Sequence, residues 1–565
     1  MMTTPPVPAS PWWTRLREVR WTRLREVRWT RLALLGLLAL AAAAVFGVTT
    51  ASAHLSLGPH EARYDVTTDS LVTIDLGPLG TVQIDSPLPL TLGARVTVEE
   101  IPAGVEVVDP VRTLDALSRD LEGYVQFFDA PRATVQDAGW ALVGNALVRT
   151  GLAFAALVAI GSFGRVLLGA PRRTELAAVL APRRRALVGS GLLVLAVAVT
   201  SVSSLNPTET SPAGRPASGV FTGTVLEGAR ITGRLAGVVD TYGGQVVEAY
   251  RANQQFYAAA DDNLVAAWKE RAVDTLAREQ AQRRALQRPL DGSTPIAAPD
   301  QVKPVVMLLI SDLHCNVGMA QLIGSVARLS RADVVLDGGD TTIDGTTVEQ
   351  YCVTTFADAV PKGVPVVVSD GNHDSAETAA QERRAGLTVL AGKPVTVAGV
   401  RILGDHDPNE TRIGGGTFLG GIESATAEGE RLTRTACRDH AVDLLLIHTP
   451  HVGDAALEGG CVPVQLSGHL HVRAGPVPFG GGVRYVNAST AGAKVGEPTV
   501  GPLHGTAEMT ILRFDPTSRR VLDYQLVDVR VDRSASVGYR IPFPAPVAPA
   551  PVDTNGGLLD GGPTR

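Results

Sequence analysis

What this 565-residue chain lacks narrows it first. It has no basic excess: 51 Lys and Arg stand against 57 Asp and Glu, a formal net charge of −6. No global field therefore draws it to nucleic acid, whose binding domains are basic. Cysteine is scarce. Only Cys315, Cys352, Cys437 and Cys461 occur, none in the first 314 residues, so disulfides are confined to the second half and require an oxidising compartment there. The hydrophobic share, 45%, is ordinary, but the apolar residues gather in three runs with uncharged centres, and that is the membrane signal. At this length more than one folded unit is expected.

Leu32–Val48 reads LALLGLLALAAAAVFGV, 17 apolar residues, at the short end of what crosses a bilayer. Ala51-Ser52-Ala53 fits a signal-peptidase site, so a cleaved signal peptide competes with a permanent anchor; the length favours the anchor, because signal cores run about 7 to 15 residues. Residues 146–169 form the second expected transmembrane helix, its uncharged centre bracketed by Arg149 and Arg165, and residues 186–205 the third. The intervening loop, 170–185, carries Arg172, Arg173, Arg183, Arg184 and Arg185, which hold it in the cytoplasm.

The N-terminal segment 1–31 contains WTRLREVRWTRLREVRWTRL. On a helix an eight-residue period overshoots two turns by about 80°, so Trp13, Trp21 and Trp29 share no face, and no docking surface or specific nucleic-acid site is expected. Seven arginines against Glu18 and Glu26 leave 7 − 2 = +5 before the first span, a cytoplasmic retention signal. The expected topology is N-terminus in, then out, in and out. The protein is read as multi-pass in the cell membrane, with the lipid bilayer as a partner and everything after residue 205 extracytoplasmic.

Residues 54–139 alternate apolar and polar side chains between Gly-Pro and Ser-Pro turns, which predicts a small β-rich extracytoplasmic region. A second patch, 220–239, is β-like and is expected to join it within a β/helical region 216–288, whose remainder from Gly244 has helical spacing. A linker spans 289–304. The tail, 542–565, is rich in Pro and Gly and is expected to be disordered.

From Val305 onwards short apolar runs each end in acid, amide or imidazole: Ser311-Asp312-Leu313-His314-Cys315-Asn316, then Asp337-Gly338-Gly339-Asp340, then Asp370-Gly371-Asn372-His373-Asp374, then His448, then Gly468-His469-Leu470-His471. Runs of this kind separated by helix-length segments predict strands covered on both faces, with ligands gathered at their carboxyl ends. Asp312 and His314, like His469 and His471, are two apart, and in an extended segment such side chains point the same way. Carboxylate, amide and imidazole together suit Mn, Fe or Zn.

In this order the motifs resemble the calcineurin-like metallophosphoesterase superfamily, over about residues 305–529. The resemblance implies an α/β fold, a four-layer α/β/β/α sandwich in a domain at 303–535, here preceded by transmembrane helices and the β-rich region. It implies two divalent metal ions: one on Asp312, His314 and His471, the other on Asn372, His448 and His469, with Asp340 bridging. His373 would be proton donor or phosphate contact. The implied reaction is hydrolysis of a phosphomonoester or phosphodiester by water activated between the metals; the alternative is a non-catalytic membrane receptor that binds a phosphorylated ligand on the same fold. Asp344, four residues after Asp340 where the family often has an acid three after, is placed outside the site. Asp405-His406-Asp407 reads as a turn, and Asn487-Ala488-Ser489-Thr490 as structural support. Three disulfide pairings are open to four cysteines; Cys315 with Cys352 and Cys437 with Cys461 is the preferred one.

Overall fold

The computed structural model describes, with short breaks, residues 29–99, 131–169, 215–216, 227–286, 303–494 and 499–546. Residues 1–28, most of the loop 170–185, the expected span 186–205, the linker up to residue 302 and the tail from 547 lie outside the described residues.

Helices α1 (Trp29–Thr49) and α2 (Pro131–Leu167) pack side by side. A Cβ on Gly47 of α1 would stand 2.6 Å from the Ala146 carbonyl oxygen and 2.8 Å from the Thr150 nitrogen, so this approach needs a residue without a side chain, as membrane helix contacts commonly do. Around the pair, Leu35, Leu37, Leu147, Leu152, Ile160 and Phe163 are exposed. By length and composition α2 suffices to cross a membrane.

Between the helices lies a sheet of β1 (Ser52–Leu57), β2 (His60–Thr67), β3 (Leu71–Asp75), β4 (Thr81–Asp85) and β5 (Gly93–Val98), completed by β6 (Arg215–Pro216) and β7 (Arg230–Ile231) in the order β1-β2-β5-β3-β4-β7-β6. Two expectations need correcting. Residues 131–139 are not β structure but the first turns of α2, with Pro131 at the position where its fixed φ starts a helix. Residues 235–239 belong to α3 (Leu235–Leu286), which was expected to start only at Gly244; a glycine inside a growing helix costs only about 1 kcal/mol.

The remaining elements, in chain order, are β8 (Val305–Ile310), α4 (Met319–Ser330), β9 (Val334–Asp337), α5 (Gln350–Ala359), β10 (Val366–Val368), α6 (Ala376–Arg384), β11 (Thr388–Val389), β12 (Val395–Val397), β13 (Val400–Leu403), β14 (Asn409–Arg412), β15 (Gly416–Leu419), α7 (Ala425–Asp439), β16 (Leu444–Leu446), α8 (Asp454–Glu458), β17 (Val464–Ser467), β18 (Ala474–Phe479), β19 (Gly482–Val486), β20 (Ala507–Asp515), β21 (Arg520–Val529), β22 (Ala535–Val537) and β23 (Ile541–Pro542). One sheet runs β11-β10-β9-β8-β20-β21-β22, with β23 on β21; the other runs β12-β13-β16-β17-β19-β18; β14 and β15 form a separate hairpin.

Period-2 geometry explains why β8 is apolar throughout. Met307 and Leu309 enter the core between the two sheets, while Leu308 and Ile310 enter a second core beneath α4 and α5. A third core joins Leu403, Leu445 and Ile447 to Leu432 and Ala436 of α7 and Ala456 of α8. Helix, sheet, sheet and helix are thus stacked in four layers. Phe256, Tyr257, Ala260 and Leu264 of α3 belong to the second core, so α3 is part of the outer layer. The N-terminal end of α2 docks here too: Ala133 joins that core, and Thr354 Oγ1 donates to Asp137 Oδ2 at 2.8 Å.

Candidate metal centre

The polar clusters converge at the carboxyl ends of five strands, β8, β9 and β10 from one sheet and β16 and β17 from the other. The local geometry differs from the extended one expected. Asp312 and His314 have φ of 55° and 40°, and His469 and His471 have 74° and 56°. These are left-handed turns, costing roughly 1–2 kcal/mol per non-glycine residue. Convergence is enforced by pairing to the next loop: the backbone N–H groups of Asp312, His314 and Cys315 donate to the carbonyls of Gly339, Asp340 and Thr341 at 2.8, 2.9 and 3.0 Å.

That loop is in turn held by Asp374, to which the sequence assigned no role. Its Oδ2 accepts from the N–H of Asp340 and of Gly371, both at 2.8 Å, and its Oδ1 from the N–H and hydroxyl of Thr342 at 2.9 and 2.8 Å. The only signal for it was its place at the end of Gly371-Asn372-His373-Asp374. A Cβ on Gly371 would lie 2.2 Å from Asp340 Oδ1, which is why the chain there is glycine.

Around Asp340 the donor atoms fall into two groups. Asp312, His314, Asp340 and His471 offer ligand atoms that all lie within 4.8 Å of one another, and the Nε2 atoms of His314 and His471 face each other at 3.1 Å. In the second group, Asn372 Oδ1 lies 3.1 Å from His448 Nε2 and 2.8 Å from His469 Nδ1. Asp340 Oδ2 touches both, 3.7 Å from His314 Nε2 and 3.2 Å from His448 Nε2. All seven residues assigned as ligands are therefore brought together. His373 stands at the wall, its ring 4.8 Å from that of His314. Its Nδ1 lies 2.7 Å from the Ile343 carbonyl, and its N–H donates to Asp340 Oδ1 at 2.8 Å.

The electrostatics call for a cation. Asp312 Oδ2 is buried without a hydrogen-bond partner, and burial, then the proximity of Asp340, raises the Asp312 pKa. Burial opposes charge on His448, but Asp340 and Asp312 outweigh it and hold its pKa well above the ordinary value. Burial pushes His314 down to about 3. His448 Nδ1 faces the Gly338 carbonyl at 2.7 Å, which accepts only, so Nε2 is the nitrogen left to bind. An orphaned carboxylate oxygen, facing imidazole nitrogens and a shared carboxylate fit divalent ions of the kind that take mixed N and O ligands.

Other singled-out residues serve the scaffold. Asp344 Oδ1 accepts from the N–H of Ile413 at 2.7 Å. Asp405, His406 and Asp407 disperse: Asp405 pairs with His406 and Arg431 at 2.8 and 2.7 Å, whereas Asp407 accepts from the N–H of Asn409 and from the Thr449 hydroxyl. Ser489 Oγ donates to the Asp312 carbonyl at 2.8 Å and the N–H of Thr490 to that of Ser311 at 2.9 Å. The cysteines pair as Cys315–Cys352 and Cys437–Cys461.

Three solved structures align with this chain at low identity. A dimetal phosphatase from Danio rerio is 14% identical, covering 43% of this chain and 100% of its own, with a TM-score of 0.28. A phosphoesterase from E. coli is 13% identical over 42% and 100%, TM-score 0.24, and an archaeal phosphodiesterase 11% identical over 40% and 100%, TM-score 0.25. No curated protein matches. The family described as calcineurin-like phosphoesterase matches residues 306–473; that segment, which carries all seven converging side chains, is a calcineurin-like phosphoesterase domain.

Proposed function

We propose that the protein is a membrane-anchored, extracytoplasmic, binuclear metal-dependent phosphoesterase acting on phosphomonoesters or phosphodiesters. The observation that carries this reading is the single oxygen Asp340 Oδ2 lying between two groups of imidazole, amide and carboxylate donors. Asp312, His314 and His471 would hold one ion, Asn372, His448 and His469 the other, and Asp340 would serve both. When bound, a pair of Mn, Fe or Zn ions lowers the pKa of water and offsets the charge of the phosphoryl oxygens. His373, tied through Nδ1 to Ile343, has Nε2 as its remaining proton site, from which it hydrogen-bonds the phosphoryl group or protonates the departing alcohol. The carbonyl of Gly338 and the carboxylate of Asp374 keep these side chains in place.

The membrane assignment draws on the exposed apolar surface of α1 and α2, and the extracytoplasmic one on two disulfides in a domain with no free cysteine, as expected outside a reducing cytosol. Asp340→Asn in the purified full-length chain, assayed with Mn against aryl phosphate and bis-aryl phosphate, is expected to lose activity by about 10³-fold or more, the scale on which transition-state charge stabilisation is lost. Retained turnover would remove Asp340 as the shared ligand. A metal content near two per chain without hydrolysis of any ester would favour the receptor alternative instead.

A further inference from the structure

Exposed apolar side chains stand on the two segments that meet at Asn372, and hydrolysis of a small polar ester does not call for them. Leu470 and Val472, 49% and 69% exposed, alternate with His469 and His471. The β14–β15 hairpin and the segment after it expose Ile413, Phe418, Leu419 and Ile422, the last completely. Asn372 joins the two sides: its Nδ2 donates to Thr411 Oγ1 near the turn of the hairpin at 2.7 Å, and its Oδ1 lies 2.8 Å from His469 Nδ1. Leu470 and Val472 thus adjoin the ligands His469 and His471 in sequence, and Phe418 follows Thr417, whose hydroxyl lies 2.9 Å from that of Thr411. The hairpin pairs with no other strand and is pinned to the site through Ile413 N–H on Asp344 and Arg412 Nη2 on the Asp374 carbonyl, at 2.7 and 2.9 Å. An exposed apolar group of this size marks contact with something apolar.

The neighbouring apolar phase is the bilayer itself. The loop Ile343–Glu349 links the centre to the N-terminal sheet. On one side its Ile343 carbonyl meets His373; on the other its turn Thr347–Glu349 packs on β1 and β2, the strands that continue directly from α1. Thr354, just beyond, holds Asp137 of α2, about one helical turn, ~5 Å, before the exposed Trp140. Tryptophan at that level is where membrane helices meet the headgroups.

Resting on the phosphoesterase reading above, we infer that the substrate is a phosphoester of a lipid in the same bilayer that holds α1 and α2. Its chains lie against Phe418, Leu419, Ile422, Leu470 and Val472 while its phosphate reaches Asp340 and His373 without the lipid leaving the membrane. A soluble aryl phosphate uses the centre but not this rim.

The test uses the full-length chain in nanodiscs of phosphatidylethanolamine and phosphatidylglycerol with Mn. The double substitution Phe418→Ser, Ile422→Ser is expected to lower kcat/KM for headgroup or phosphate release from lipid about tenfold more than for a soluble aryl phosphate, as loss of two large apolar contacts predicts; equal effects on both would overturn the inference. Independently of turnover, Phe418→Trp in nanodiscs of acyl-chain-brominated lipid is expected to show fluorescence quenching beyond that of the unsubstituted chain. Hydrolysis of the aryl ester with no added quenching would overturn the lipid assignment alone. Hydrolysis of neither ester would overturn the phosphoesterase reading, and this substrate with it.

Discussion

Asp374 touches no ligand atom of the centre, yet it fixes where Asp340 stands. Asp374→Asn would set an amide NH2 against either the backbone N–H groups of Asp340 and Gly371 or that of Thr342, and metal affinity is expected to fall about 10–100-fold, as for other outer-shell partners; calorimetric titration with Mn or Zn measures it. Glu382 offers a pH test remote from the chemistry. It is fully buried on α6 beside Asp370, no N–H or hydroxyl among the described residues donates to it, and burial, then Asp370, raises its pKa well above 4.5. A raised carboxyl pKa means the fold holds a proton the unfolded chain releases, so this contribution to stability is present below about pH 4.5 and is lost as pH climbs towards the folded value. Glu382→Gln is expected to raise Tm by roughly 2–4 °C at pH 8, about 1 kcal/mol in a domain of this size, and to leave it nearly unchanged at about pH 4; calorimetry at both pH values decides. Neither residue was legible in the sequence, since nothing in Gly-Asn-His-Asp or in Gln381-Glu382-Arg383 tells which acid is engulfed.

At the scale of elements, the apolar runs told where strands end and therefore where ligands gather, because a strand buried on both faces has no polar position until it leaves the sheet. What they did not tell was the turn that follows. Asp312 and His314 converge through left-handed backbone supported by pairing to Gly339 and Asp340, and His469, also left-handed, through its N–H on Asp312 Oδ1, contacts across 26 to 157 positions that no local spacing encodes. Helix lengths were misjudged at α2 and α3: α2 begins at Pro131, ahead of the apolar run, and α3 begins at Leu235 and continues through Gly243 and Gly244. Cys437 of α7 and Cys461 after α8 clip the second sheet's outer layer away from the centre. Replacing both by alanine is expected to cost about 3 kcal/mol for a loop of this length (24 residues). That loss lowers Tm by roughly 5–10 °C, with activity below the transition kept.

At the scale of the whole molecule, the position of the phosphoesterase domain constrains the path of the chain. The domain docks on the N-terminal end of α2 through Asp137 and Ala133, while the chain leaves α2 at Leu167, about 55 Å away along a 37-residue helix. To reach β8 it has to return, and residues 186–205, uncharged throughout, are long enough for a crossing. On the proposed topology, in which arginines at 172, 173 and 183–185 keep their loop in the cytoplasm, a periplasm-type reporter such as alkaline phosphatase fused after Pro289 is expected to be active and a fluorescent cytoplasmic one inactive; the reverse pattern would overturn the topology.

By itself the sequence determined the composition of the centre, the order in which its ligands arise and the presence of apolar segments fit for a bilayer. Those depend on residue type and local periodicity, which one chain displays along its length. Only the tertiary structure decided that Asp340 Oδ2 lies between two donor groups, that Asp374 anchors it, that α3 completes the outer layer, and that the β14–β15 hairpin is tied to Asn372 and to the Asp374 carbonyl. These rest on contacts between residues tens to hundreds of positions apart, where packing and burial, not spacing, choose the partner.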